Sequence, residues 1–210
     1  MLFPAILAVA GLGFTALLVA AKRRAPGATI SYEPSTSTSG GYMPSVTIPK
    51  GFTPEVIAST RKWAAARGVP MQEILATIYV ESRGNPRAWA NLSTEDSRGL
   101  MQVNVNVWGP KLAQYGMTTD DLWDADKNIM IGSLIYKQYR DNVISWIQQS
   151  GKPQSAPIDV LARLAYKGPA YVQKKILAGE DASHPYKNSD AAVANWKVAM
   201  SVANQLTSVA

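Results

Sequence analysis

The 210-residue chain contains no cysteine, which excludes disulfides, thiol nucleophiles, zinc fingers and iron–sulfur clusters. Its single histidine, His184, lies in a stretch of Ser, Pro and Asn; with so few imidazole and thiolate donors, no transition-metal site is expected. Charge is also scarce: 17% of residues are Asp, Glu, Lys or Arg against 47% hydrophobic, too apolar a balance for a disordered chain. Lys22, Arg23 and Arg24 supply half of the net charge of +6 in one cluster. The other basic residues form no long stripe and no nucleic-acid motif is present, so no nucleic-acid partner is expected. Strand-like alternation of any length is missing as well, and a mainly α fold is expected.

What is present divides the chain into three. Leu2 to Ala21 carries no charge and is broken only by Pro4, Gly11, Gly13 and Thr15. As a helix it would rise about 30 Å, the thickness of a bilayer's hydrocarbon core. Residues 1–24 are therefore expected to be a single transmembrane anchor with a basic flank. The rival is a cleavable signal peptide, for which Val19-Ala20-Ala21 offers a small-residue site. Signal peptides carry their positive charges before the apolar stretch, however, and here they follow it. The positive-inside rule would leave that cluster, and the domain behind it, on the cytoplasmic side. Residues 25–51 are rich in Pro, Ser, Thr and Gly, and Ser35 to Gly41 reads as a flexible tether. Residues 52–210 carry the folded domain, long enough to bury a core without staples.

Helical patterning fills that third part. Thr53 is placed as an N-cap with Pro54 at the first helical position and Gly68 after the end. A second helix runs from about Pro70 to Ser82, where Gly84, Asn85 and Pro86 stop it. Asp124 caps a long helix to about Gln149, with Ile129, Tyr136, Tyr139, Val143 and Trp146 near one face. Helices are also expected from Ile158 to Lys167, from Ala170 to Leu177 and from about Ser189 to Leu206.

On the second helix Ile74, Ile78 and Glu81 fall at i, i+4 and i+7, so Glu81 ends an apolar stripe. A carboxyl so placed is either partly buried or turned outward. If buried, desolvation disfavours its charged form, and a protonated carboxyl can donate to a glycosidic oxygen.

Flanking residues sharpen the choice. Glu81-Ser82-Arg83-Gly84-Asn85-Pro86 is followed by Gly99-Leu100-Met101-Gln102-Val103-Asn104 and Trp108, then Asn128-Ile129 with Gly132, then Ala165-Tyr166 with Gly168. In that order these blocks resemble the soluble lytic transglycosylase family, with a lysozyme-like fold, over roughly residues 56–176. The spacing between the first two blocks most resembles members that accompany secretion, conjugation and phage machinery. The resemblance implies that Glu81 is the single acid/base for the bond between N-acetylmuramic acid and N-acetylglucosamine. It would protonate that bond and then deprotonate the sugar's C6 hydroxyl, which closes a 1,6-anhydro ring without consuming water. No cofactor is implied, and no second carboxylate is needed. The resemblance further implies that Gln102 hydrogen-bonds the glycan, that Met101 shapes the cleft and that Tyr166 faces Glu81. Ser93 meets the place of a substrate-contacting serine. Asn104, just beyond the motif, is either a turn residue or a glycan contact.

The chain departs from that pattern in two places. Lys167 stands where the family usually has asparagine, and Ser97 where some specialised members have aspartate, with Asp96 one step away. Asp96 and Glu95 read as solvated loop charges; turned inward, Asp96 could stabilise positive charge on the sugar or activate water. A muramidase hydrolysing the same bond, with Asp96 or Glu95 as partner, is the first alternative, and a glycan-binding or structural virion or envelope protein the second. The expected partners are peptidoglycan strands, the membrane and envelope or virion assemblies. The expected location is the membrane, acting in the envelope, with carriage in a virion reconciling this with the basic flank.

Overall fold

A computed structural model describes residues 49–92, 95–183 and 189–208. The expected anchor, nearly all of the linker, Ser93 and His184 lie outside the described residues. Among the described residues no helix is long and apolar enough to cross a membrane.

The first helix, α1 (Pro54–Arg67), begins where Thr53 accepts from the Val56 amide at 3.4 Å and ends at Gly68 in a left-handed cap. Helix α2 (Met71–Ser82) follows Pro70, and Glu73 to Ile78 are all buried where it packs chiefly against the helix Ser189–Ser208. A small antiparallel sheet comes next: β1 (Trp89–Leu92), β2 (Glu95–Arg98) and β3 (Val103–Asn104), in that order. Its register sets Trp89 opposite Arg98, Ala90 opposite Ser97, and Ser97 opposite Asn104. Then come α3 (Val105–Leu112), two 3-10 turns, the 26-residue α4 (Ala125–Ser150), α5 (Ile158–Lys167), α6 (Pro169–Leu177) and α7 (Ser189–Ser208).

The mainly α expectation holds; the sheet and α3 are elements that the sequence reading did not include. Strands of two to four residues are too short to raise an alternation signal, and Asn, Asp and Glu are poor strand formers. Side chains hold the hairpin instead. The Trp89 indole donates to Asp96 at 2.9 Å and packs edge-on against Trp123, while Arg98 pairs with Asp96 and Asp120. Asp96 and Glu95 are thus half-buried strand residues rather than solvated loop charges.

Two apolar clusters form the core. One gathers Ile74, Leu75, Ile78, Trp196 and Leu206 between α2 and α7; the other gathers Ile131, Ile135, Val143, Leu161 and Ile176 from α4, α5 and α6. Polar ties cross the first. Glu73 pairs with Arg140 at 3.2 Å, and the Trp196 indole donates to Asp159 at 2.9 Å. Burial pushes the Glu73 carboxyl up from its ordinary range, with the Arg140 charge opposing.

Candidate active site

Glu81 is the penultimate residue of α2, and its side chain is 16% exposed. The next residue explains why the helix end cannot drift. Ser82 donates to Leu100 O at 2.7 Å, lies 3.1 Å from Ile78 O, and accepts from the Gly84 amide at 3.2 Å. The chain then turns through Arg83 and Gly84 at positive φ, and Asn85 accepts from the Arg87 amide at 2.9 Å.

The segment fastened by Ser82 is Gly99 to Gln102. Gly99 has φ +77, and a Cβ there would stand 2.2 Å from Asn128 Nδ2, so only glycine fits. Asn128 is fully buried and satisfied by backbone alone. Its Oδ1 accepts from the Met101 amide at 2.8 Å, and its Nδ2 donates to Arg98 O at 2.8 Å and Leu122 O at 2.9 Å. One turn further along α4, Gly132 makes room for Met101, whose Sδ would lie 2.4 Å from a Cβ there. From α5, the Tyr166 hydroxyl donates to Met101 O at 2.8 Å. Gln102 sits at φ +48, and its side-chain nitrogen donates to Ala88 O at 2.9 Å and Gly99 O at 3.0 Å. All four sequence blocks therefore meet around one short loop.

Electrostatically, Glu81 is not alone. Arg163 Nη2 lies 2.8 Å from Glu81 Oε1, with the arginine side chain only 8% exposed, and its guanidinium is 5.9 Å from the Tyr166 ring. Burial, and then the charge of Glu81, push the Tyr166 phenol well up, so it stays a neutral donor. Its proton is committed to Met101 O, and its link to Glu81 runs through charge and through Arg163.

The expected site residues divide by position. Glu81, Tyr166, Met101 and Gln102 are brought together. Met101 is fully buried, so its effect on any cleft is exerted through the backbone it carries. Asn104 caps α3, accepting from the Asn106 amide at 2.9 Å. Asp96 is turned to the Trp89 and Arg98 side of the hairpin, and the Arg98 hydrogen bond holds its carboxyl below the usual range. Glu95 points the other way and accepts from the buried Ser97 hydroxyl at 2.8 Å. Lys167 is exposed at the end of α5. Among the described residues no group of His, Cys, Asp or Glu converges where a metal ion could be held.

Sequence reasoning missed Arg163. The available signal was a lone arginine between Leu161-Ala162 and Leu164-Ala165, one turn before Tyr166 and so on the same face.

Residues 58–151 match the family model described as the transglycosylase SLT domain. The match covers 94 of the 210 residues and takes in Glu81, the Gly99–Gln102 loop and the Asn128 and Gly132 positions. Arg163 and Tyr166 lie beyond it. No curated protein matches the chain.

Proposed function

We propose that this chain is a peptidoglycan lytic transglycosylase that cleaves the β-1,4 bond from N-acetylmuramic acid to N-acetylglucosamine and releases a 1,6-anhydro product. The reading is carried by Glu81, a mostly buried carboxyl at the end of the core helix. It lies inside the matched stretch and is fastened through Ser82 to the Gly-Leu-Met-Gln loop. In this reading Glu81 accepts from Arg163 at Oε1, carries a proton on Oε2 when substrate binds, and gives that proton to the bridging oxygen as the bond breaks. It then takes the proton of the sugar's C6 hydroxyl as that oxygen closes on the anomeric carbon. Atoms balance without water. Gln102, with its nitrogen engaged by backbone, keeps the amide oxygen to accept from a sugar hydroxyl. Asn104 and Ser93 are further glycan contacts.

Residues 1–24 serve as the membrane anchor and 25–51 as the tether that lets the domain search a nearby polymer. The basic flank fits a protein made inside and delivered outward later, in a virion or with a secretion apparatus, for local penetration of the wall. Protease accessibility in inner-membrane vesicles tests this; a domain already periplasmic soon after synthesis removes the need for delivery.

A hydrolysing muramidase is the second reading, favoured by Glu95, a carboxylate on the same face of the sheet as Ser97. Mass spectrometry of muropeptides from purified sacculi separates the two, because anhydro products are one water lighter. E81Q is expected to lower turnover by about 10²–10⁴-fold while leaving folding and glycan binding nearly intact. Turnover near the wild-type rate in E81Q refutes the assignment.

A further inference from the structure

The ion pair at Glu81 is built from both sides. Oε1 meets Arg163 Nη2 at 2.8 Å, with 16% and 8% of the two side chains exposed. Arg163 is in turn anchored in α5 beside Tyr166, whose hydroxyl holds Met101 O. Glu81, Arg163, Tyr166 and the Met101-Gln102 backbone thus form one continuous run of contacts, closed by Ser82 on Leu100 O.

The pair is also incomplete. Arg163 Nη1 is buried and has no hydrogen-bond partner among the described residues. An unmet buried donor costs stability, and an apolar side chain of similar length on that helix face would avoid the cost. Stability alone does not account for an arginine here.

We propose that Arg163 is a positioning residue: it pins Oε1 of Glu81 so that Oε2 is the oxygen left to exchange a proton with the sugar. A glutamate at a helix end otherwise samples several rotamers, whereas a guanidinium is a rigid planar fork that fixes a carboxylate's direction. Holding one oxygen suits a mechanism in which a single carboxyl must both give and take a proton without swinging. The proposal rests on the reading of Glu81 as the acid/base. From α5, Arg163 pairs with Glu81 and Tyr166 feels its charge.

The test uses the 210-residue chain and soluble, uncrosslinked glycan strands, with kcat and KM measured separately. R163A is expected to lose about 10–100-fold in kcat with KM within about twofold, the pattern of a misaimed catalytic group. Guanidinium ion at millimolar concentration is expected to restore kcat several-fold, and sodium chloride at the same concentration is not. R163K keeps the charge without the fork. It is expected to lose kcat rather than KM, and it decides the matter alone if R163A does not fold. A kcat within twofold of wild type in either variant overturns the proposal, as does a loss in R163A that guanidinium leaves untouched. E81Q, assayed alongside, separates the failures. Turnover surviving E81Q removes the reading of Glu81 and the proposal with it; turnover lost in E81Q but kept in R163A and R163K overturns the proposal alone.

Discussion

Replacing Asn128 with alanine removes a fully buried side chain that makes three hydrogen bonds to backbone: one from Met101 N and one each to Arg98 O and Leu122 O. The Met101 amide is then a buried donor without an acceptor, and two carbonyls lose their donor. Taking about 1–3 kcal/mol for the orphaned amide and about 1 kcal/mol for each carbonyl, N128A is expected to cost about 3–5 kcal/mol. At about 2–4 °C per kcal/mol for a chain of this size, the melting temperature should fall by about 6–20 °C. N128D sharpens the test. At neutral pH its carboxylate would face two carbonyl oxygens, and only the protonated acid can donate to one of them. N128D should therefore regain stability as pH falls, and N128A should not. Circular dichroism melts of the three proteins between pH 4 and 8 provide the check. A fall of under about 2 °C in N128A, or the same pH response in both variants, refutes the reasoning that this amide holds the loop.

Two further outcomes are expected. G132A drives a Cβ to within 2.6 Å of Met101 Cβ, an atom with no flexible end to yield, so it should cost about 1–3 kcal/mol by denaturant melts and lower activity by displacing Gln102. Burial raises the Glu73 carboxyl in the folded state, so its contribution to stability is fully present below the unfolded value and is lost as pH rises through the folded one. The stability of the wild type relative to E73Q should therefore decline with rising pH, and urea melts at acid and neutral pH read the difference.

Helix positions were legible in the sequence because their signals are local. Thr53, Pro54 and Gly68 mark both ends of α1, and Ile158 to Lys167 is helical over the expected span, since caps and periodicity act within a turn or two. The sheet was illegible for the opposite reason. Its strands are held by Trp89 on Asp96, by Arg98 on Asp120 and by Asn128 from 30 residues away, and no window of a few residues contains those partners. Near the candidate site, Glu81 stands out in the sequence through its stripe and its flanking motif. Arg163, 82 positions further on, meets it only once the tertiary fold brings the two long side chains together. The side of the hairpin that Asp96 takes follows from strand register, which a single sequence does not fix.

The carbonyl of Ala88 receives both the Gly99 amide and the Gln102 side chain, so the chain leaves and re-enters the same spot on either side of residues 89–98. That stretch is an excursion with its two ends stapled. Lengthening or shortening it alters the outer wall of the domain at little entropic expense, because closing a somewhat longer loop adds only about 0.6 kcal/mol per doubling. Grafting a different hairpin there consequently changes residues 89–98 while the Ser82 bond to Leu100 O still fastens the end of α2.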